Sequence, residues 1–167
     1  GYGESSDAYH MTAAHPEGAG AVLAMQGALA RADATPTQVD YINLHGTATP
    51  LNDAAEDRAV LRVFGPETPC SSTKGWTGHT LGAAGITEAI FVALCLEHGL
   101  IPGTLNTRQR DPKLGAGVVL DNREHPLRLA LSNSFGFGGT NCSLLFGRGE
   151  RKSPSLLVGE GRGEGAK

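Results

Sequence analysis

The sequence has no excess of positive charge: 14 Lys and Arg stand against 17 Asp and Glu, a formal net charge of −3. That balance argues against nucleic acid or an anionic membrane as a partner, and a partner is expected to be read by shape. Cysteine is scarce. Cys70, Cys95 and Cys142 are odd in number and form no CxxC pair, which excludes a disulfide scaffold and a zinc ribbon and suits a reducing, cytoplasmic compartment. Long apolar runs are missing as well: the longest, Ala89 to Leu96, is bounded by Glu88 and Glu97 and falls short of the ~20 residues of a membrane span. It is expected to form a buried helix, with no membrane contact. No basic segment precedes an apolar one at the start, so a targeting segment is expected to be absent, or removed along with whatever preceded Gly1. Gly1 is not an initiator Met, which fits a piece of something longer.

Familiar site signatures are equally absent. There is no GxSxG elbow, no GxxxxGK[ST] and no GxGxxG fingerprint, so hydrolase, P-loop and dinucleotide readings lose support. The six histidines, His10, His15, His45, His79, His98 and His125, form no HExxH or other compact ligand set.

What is present is a chain of 167 residues, 40% hydrophobic and 19% charged, enough for one globular domain and too apolar for a disordered one. Its 24 glycines are about twice the usual share of ~7% and imply many close backbone approaches. After a polar opening, Pro16 to Arg31 reads as a helix with Val22, Leu23, Met25 and Leu29 among small residues. Val39 to Leu44 reads as a strand. Asn52 or Asp53 can cap a helix through about Phe64, stopped by Gly65-Pro66, and Cys70 to Thr73 reads as the next strand. His79 to His98 reads as a helix apolar nearly all round, needing protein on both sides. After a loop from Pro102 to Pro112, strands are expected at Gly117 to Leu120, Leu127 to Ser132 and Cys142 to Phe146. The order αβαβαβββ argues an α/β layer, its sheet mostly parallel with an antiparallel edge and flanked by helices. Arg151 to Lys167 reads as a frayed tail.

Three polar clusters, each rich in Gly, Ser or Thr, follow predicted strands: His45 to Asp53, Ser71 to Gly82 and Ser132 to Asn141. Carboxyl ends of strands are where α/β sheets bind ligands. Any one cluster could be simple turn chemistry, but three together are not easily so read. Their strings NLHGTATPLND (Asn43 to Asp53), SSTKGWTGHTLGAAG (Ser71 to Gly85) and SNSFGFGGTN (Ser132 to Asn141), with the opening GYGESSDAYHMT (Gly1 to Thr12), strongly resemble the β-ketoacyl-acyl-carrier-protein synthases. The resemblance runs in order through about Gly147, and it implies a thiolase-like half-fold. Residues 1–148 would be the C-terminal half of such a synthase and 149–167 a flexible tail.

The resemblance implies a decarboxylating Claisen condensation of an acyl thioester with a malonyl-carrier protein, in fatty-acid or polyketide-type synthesis. The family's nucleophilic cysteine lies in an N-terminal half, so this chain alone would be inactive. His45 and His79 match the two histidines that stabilise the malonyl-derived enolate. Lys74 matches the family lysine that biases them, and Glu56 the glutamate expected to pair with it. Phe137 matches the phenylalanine whose backbone N–H completes the oxyanion hole and whose ring gates the acyl pocket, whereas Phe135 is expected to be packing. Thr47 and Thr49 match threonines that bind the phosphopantetheine arm. Thr12, His10 and Asp7 would line the pocket entrance, with Asp53 also on the substrate's side. Asn43, Glu88, Ser132 and Asn133 resemble a monovalent-cation site. No cofactor is expected beyond the phosphopantetheine on the acyl carrier protein. Expected partners are that carrier protein, the N-terminal half and a second copy of the full-length enzyme. A non-catalytic, chain-length-factor-like subunit is the alternative. Trp76 is expected only to shape its loop, and the three cysteines are expected to be buried small residues.

Overall fold

The computed structural model describes residues 1–149, and the tail expected from Arg151 to Lys167 lies outside them. The polar opening, to which no element was assigned from sequence, is strand β1 (Tyr2–Ser6). It pairs antiparallel with the last strand, Tyr2 opposite Leu144 and Ser6 opposite Thr140. Its alternation is hidden in the sequence because its inward residue is Gly3, which lies flat against the backbone of Ala24 and leaves no room for a side chain.

That close approach is made by α1 (Ala19–Arg31), whose buried face is Gly20, Ala21, Val22, Ala24, Met25, Ala28 and Leu29. Then come β2 (Tyr41–Asn43), α2 (Pro50–Phe64), β3 (Pro69–Ser71), a one-turn helix α3 (Lys74–Thr77) and α4 (Ala84–His98). The N-cap of α2 is Thr49 with Pro50 at the first helical position, not Asn52 or Asp53 as expected. Proline is tolerated there because its missing N–H has no helical partner in any case. The chain continues through β4 (Leu100–Ile101), β5 (Gly117–Val118), β6 (Arg123–Glu124), β7 (Leu129–Phe135) and β8 (Thr140–Gly147).

The main sheet has the order β1-β8-β7-β2-β3-β5. Strands β7, β2, β3 and β5 are mutually parallel, while β8 runs antiparallel to both β7 and β1. This is the mostly parallel sheet with an antiparallel side that the strand–helix alternation implies. Each face has its own core. One gathers Val22, Met25, Leu29, Ile42, Val60, Cys70 and Leu131 around α1 and α2. The other gathers Tyr41, Val92, Cys95, Leu96, Ile101 and Leu127 around α4.

Helix α4 corrects the expectation of burial all round. It starts at Ala84, after a 3-10 turn over Leu81–Ala83, and only the side bearing Glu88, Ala89, Val92, Cys95 and Leu96 is covered. Ile86, Ile90 and Leu94 are 64%, 54% and 43% exposed, an apolar stripe at four-residue spacing. Leu81–His98 is long and apolar enough to cross a membrane by length and composition alone, with a mean hydropathy of 1.4. It packs on β7, however, and carries a buried charge.

Candidate active site

Because β2 and β3 are parallel and in register, Asn43 beside Ser71, the chain leaves both at the same end of the sheet. There β2 runs into His45–Thr49 and β3 into Ser72–Lys74. The Leu44 N–H donates to the Ser71 carbonyl at 2.9 Å, extending the ladder up to the polar loop. The loop turns at Gly46 with φ +41°, and a Cβ there would lie 2.6 Å from the Ser72 Cβ. Ser72 Oγ donates to the Gly46 carbonyl at 2.8 Å.

Glu56, on the second turn of α2, grips the same loop. Its Oε1 accepts the His45 N–H at 2.9 Å and its Oε2 the Gly46 N–H at 2.8 Å. Burial pushes its carboxyl up to about 7, against the lowering effect of those two N–H donors, of Asn133 and of the Lys74 charge. The expected Glu56–Lys74 ion pair is not formed. Lys74 Nζ pairs with Glu88 Oε1, both side chains nearly buried at 7% and 4% exposure. Glu56 is turned to the α1–α2 face of the sheet and spends its oxygens on backbone N–H groups, whereas Glu88 rises from α4 on Lys74's own face. The interruption of the apolar helix by Glu88 is thus explained by a cation beside it.

The ring of His45 is buried at 7% exposure. Its Nδ1 lies 3.5 Å from Lys74 Nζ, its centroid 5.4 Å from that of His79 at an interplanar angle of 85°, and 5.9 Å from that of Phe135. Burial first, then the Lys74 cation and His79, lower its pKa to about 3. His45 is therefore neutral near pH 7, and an ammonium at Nδ1 leaves the ring proton on Nε2. His79 is exposed, with its Nδ1 accepting the Leu81 N–H at 3.3 Å, so its neutral form likewise carries the proton on Nε2. The two rings thus come from separate loops to within 5.4 Å of each other, an arrangement able to offer N–H donors to an oxygen that gains negative charge.

The remaining expected residues divide. Thr47 and Thr49 share a hydrogen bond of 2.9 Å between their hydroxyls on the loop after His45. Phe137 is 80% exposed at a glycine turn, where Gly138 takes φ +79°. The turn is latched to the Asp7–Thr12 segment: Gly138 N–H donates to the Met11 carbonyl at 2.7 Å and Asp7 N–H to the Gly139 carbonyl at 2.8 Å. The Asp7 carboxylate accepts Asn141 Nδ2 and the His15 N–H, each at 2.8 Å. His10 Nδ1 accepts the Thr12 N–H at 3.1 Å in this exposed segment. Asp53 lies elsewhere, on the wall of a cavity of about 270 Å³ behind the loop, with Gly46, Ala48, Glu56 and Asp57. Burial raises its carboxyl pKa.

The four residues expected at a cation site divide into three with an unpaired buried oxygen and one without. Asn43 Oδ1, Glu88 Oε2 and Ser132 Oγ are buried and have no hydrogen-bond partner among the described residues, and Asn43 and Ser132 are register partners on β2 and β7. The Asn133 side chain does not join them. One step along a pleated strand reverses the face, and Asn133 Nδ2 instead reaches Glu56 Oε1 at 3.3 Å and Met25 Sδ at 3.5 Å. Ser72 acts on the His45 loop without having been singled out for it; its only signal was its place inside the SSTKGWTGHTLGAAG string. Asp7, expected at the pocket entrance, serves instead to tie the glycine turn to the first segment.

The chain matches the family model "Beta-ketoacyl synthase, C-terminal domain" over residues 1–108. It belongs to the β-ketoacyl synthase family and corresponds to its C-terminal domain. It is 50% identical over 159 residues to the mitochondrial 3-oxoacyl-[acyl-carrier-protein] synthase of Arabidopsis thaliana, covering 87% of this chain and 33% of that protein. It is 46% identical to 3-oxoacyl-[acyl-carrier-protein] synthase 1 of Escherichia coli over 87% of this chain and 35% of that one. The fold is also that of a ketosynthase solved in complex with its chain length factor from Xenorhabdus doucetiae. There the TM-score is 0.85 and the identity 48%, over 89% of this chain and 38% of that chain. A β-ketoacyl synthase from Burkholderia phymatum gives 0.86 and 37%, over 89% and 36%. The half-fold is thus thiolase-like, and the chain spans about a third of the length of the curated relatives it matches.

Proposed function

We propose that this chain, over residues 1–148, is the C-terminal half of a β-ketoacyl-acyl-carrier-protein synthase and carries its two-histidine decarboxylation centre. The observation that supports this most is the neutral, buried His45, held between Lys74 and His79. In the proposed reaction the malonyl C–C bond breaks, CO2 leaves, and the electron pair passes onto the thioester oxygen as an enolate. His45 and His79 donate their Nε2–H groups to that oxygen. The enolate carbon then attacks an acyl thioester on a cysteine of the N-terminal half. A C–C bond forms, the C–S bond breaks and the cysteine thiolate leaves. Phe137 supplies a backbone N–H to the second oxyanion, and Thr47 and Thr49 bind the phosphopantetheine arm, with His10 and Thr12 at the entrance.

The cysteines of this chain are poor candidates for the nucleophile. Burial pushes the thiols of Cys70 and Cys95 up to about 12 and about 11 and raises that of Cys142. Burial and the neighbouring Lys74, itself paired with Glu88, hold His45 in its neutral form. A monovalent cation at Asn43, Glu88 and Ser132 would satisfy three orphaned oxygens and add fixed positive charge; no step passes through it. The partners are an acyl carrier protein, the N-terminal half, which covers the Ile86–Ile90–Leu94 stripe, and a second copy of the assembled enzyme. The compartment is the cytoplasm.

The test is intact-mass analysis after exposure to an acyl thioester and malonyl-carrier protein, for this chain alone and co-expressed with an N-terminal half. Acyl adduct and CO2 release only with both halves are expected. Stable acylation of Cys70, Cys95 or Cys142 with turnover by this chain alone would overturn the reading. Binding of the N-terminal half without CO2 release would point to the chain-length-factor-like alternative.

A further inference from the structure

We propose that Ser143 is a positioning residue for the His45 loop, acting from β8 through Asn133 and Glu56. This rests on the reading of His45 as catalytic, although the contacts themselves do not.

The three residues form one buried chain across α2, β7 and β8. Ser143 and Asn133 are fully buried and Glu56 is 3% exposed. Ser143 Oγ donates to Asn133 Oδ1 at 2.8 Å, Asn133 Nδ2 donates to Glu56 Oε1 at 3.3 Å, and Glu56 accepts the N–H groups of His45 and Gly46. Residues Asn133 and Ser143 are register partners in the β7–β8 pair, so the first link is set by the sheet itself.

The direction of each bond follows from what each group can do. Glu56 already uses both oxygens as acceptors for backbone N–H groups, so the amide of Asn133 presents its NH2 end to Oε1. Its carbonyl end then faces β8, where it needs a donor, and Ser143 is the group that supplies one. With the hydroxyl gone, Asn133 Oδ1 is left buried and unpaired, and the amide can turn or withdraw to seek a donor. Either movement takes a donor away from Oε1, the same oxygen that holds the His45 N–H. Glu56 would then shift or take up a proton, loosening its grip on the backbone that aims the His45 ring. Met25 Sδ, the other neighbour of Asn133 Nδ2 at 3.5 Å, is a weak acceptor and cannot replace Glu56.

A space-filling serine would not need to be a donor, and this separates the two roles. The amide protons of His45 and Gly46 report the Glu56 bonds directly by NMR in the 167-residue chain. Activity is read in a longer synthase that carries the same residues. Ser143→Ala is expected to move both amide protons upfield and to lower kcat about tenfold, the size of one lost bond to a charged group, with KM unchanged. Ser143→Thr keeps the donor and is expected to restore both readings. Cys142→Ala, next along β8 and facing the other way, is expected to move neither. Should Ser143→Ala fail to fold, Ser143→Cys retains the volume with a weak donor and is expected to shift the amides part of the way. The proposal is overturned if folded Ser143→Ala or Ser143→Cys leaves the two amides in place, if Ser143→Thr leaves them displaced, or if Cys142→Ala moves them as far. Absence of activity in the unsubstituted synthase would instead overturn the catalytic reading, and the amide shifts would still decide the role of Ser143.

Discussion

Burial of a neutral histidine makes stability depend on pH in a way that can be isolated. The pKa of His45 is about 3 in the folded chain against an ordinary 6.5. A group whose folded pKa is depressed stabilises the fold above its unfolded pKa, and that contribution is lost as pH falls, because only the unfolded chain can take the proton. The window for His45 is therefore from about pH 6.5 down to about 3. Within it each pH unit costs up to about 1.4 kcal/mol, so lowering pH from 6 to 4 removes about 2.5 kcal/mol through this group. Glu56 works in the opposite sense. Its carboxyl stands at about 7 against an ordinary 4.5, so the fold gains as pH falls through that interval and the buried carboxylate is neutralised. The two effects overlap in the unsubstituted chain and would blur a single curve. In His45→Gln the Glu56 bonds to the backbone N–H groups remain, so only the histidine contribution disappears. In urea unfolding at pH 6, 5 and 4 the unsubstituted chain should lose about 2.5 kcal/mol more than His45→Gln as pH falls. Parallel curves across those pH values would refute the reading of His45 as buried, neutral and charge-repelled.

Glu88→Gln strands the Lys74 ammonium in a buried site and should cost about 3 to 5 kcal/mol in chemical denaturation. A double-mutant cycle should show coupling for Lys74 with Glu88 and little with Glu56, and the reverse would restore the expected Glu56–Lys74 pair. Gly46→Ala places a Cβ against Ser72 at φ +41° and should destabilise by about 1 to 3 kcal/mol; thermal melts check it, and an unchanged melting temperature contradicts the close approach. The exposed Ile86–Ile90–Leu94 stripe should make the chain self-associate in sedimentation velocity, and replacing Ile86 and Ile90 by Asp should reduce that and abolish capture by an N-terminal half. Undiminished capture would mean that another surface meets that half.

Much of this protein is written in local sequence. The strand–helix alternation and the three polar strings at the ends of β2, β3 and β7 suffice for the sheet type, the family resemblance and the segments that bear His45, Lys74, His79 and Phe137. These features are legible because they depend on residues adjacent in the chain: a β-rich run, then glycines and hydroxyls that let the backbone turn. Pairing across the fold is not local, and there the sequence was misleading or silent. Glu56 and Glu88 are both plausible partners for Lys74 until the sheet separates them, one on the α1–α2 side with backbone N–H groups to hold, the other on the α4 side beside the ammonium. Asn133 and Ser132 are neighbours in sequence, yet the pleat sends one toward Glu56 and leaves the other on the opposite face, a register partner of Asn43 with its hydroxyl buried and unpaired among the described residues. Strand β1 was unreadable because its packing depends on glycine, whose absent side chain leaves no periodicity, and Ser143 because a lone serine in a strand carries no mark of the amide it will meet. The sequence by itself determined which chemical groups this chain brings and on which loops. Only the tertiary structure decided which carboxylate neutralises which cation and which face each strand residue serves, because desolvation and hydrogen-bond pairing act through space between segments far apart in the chain.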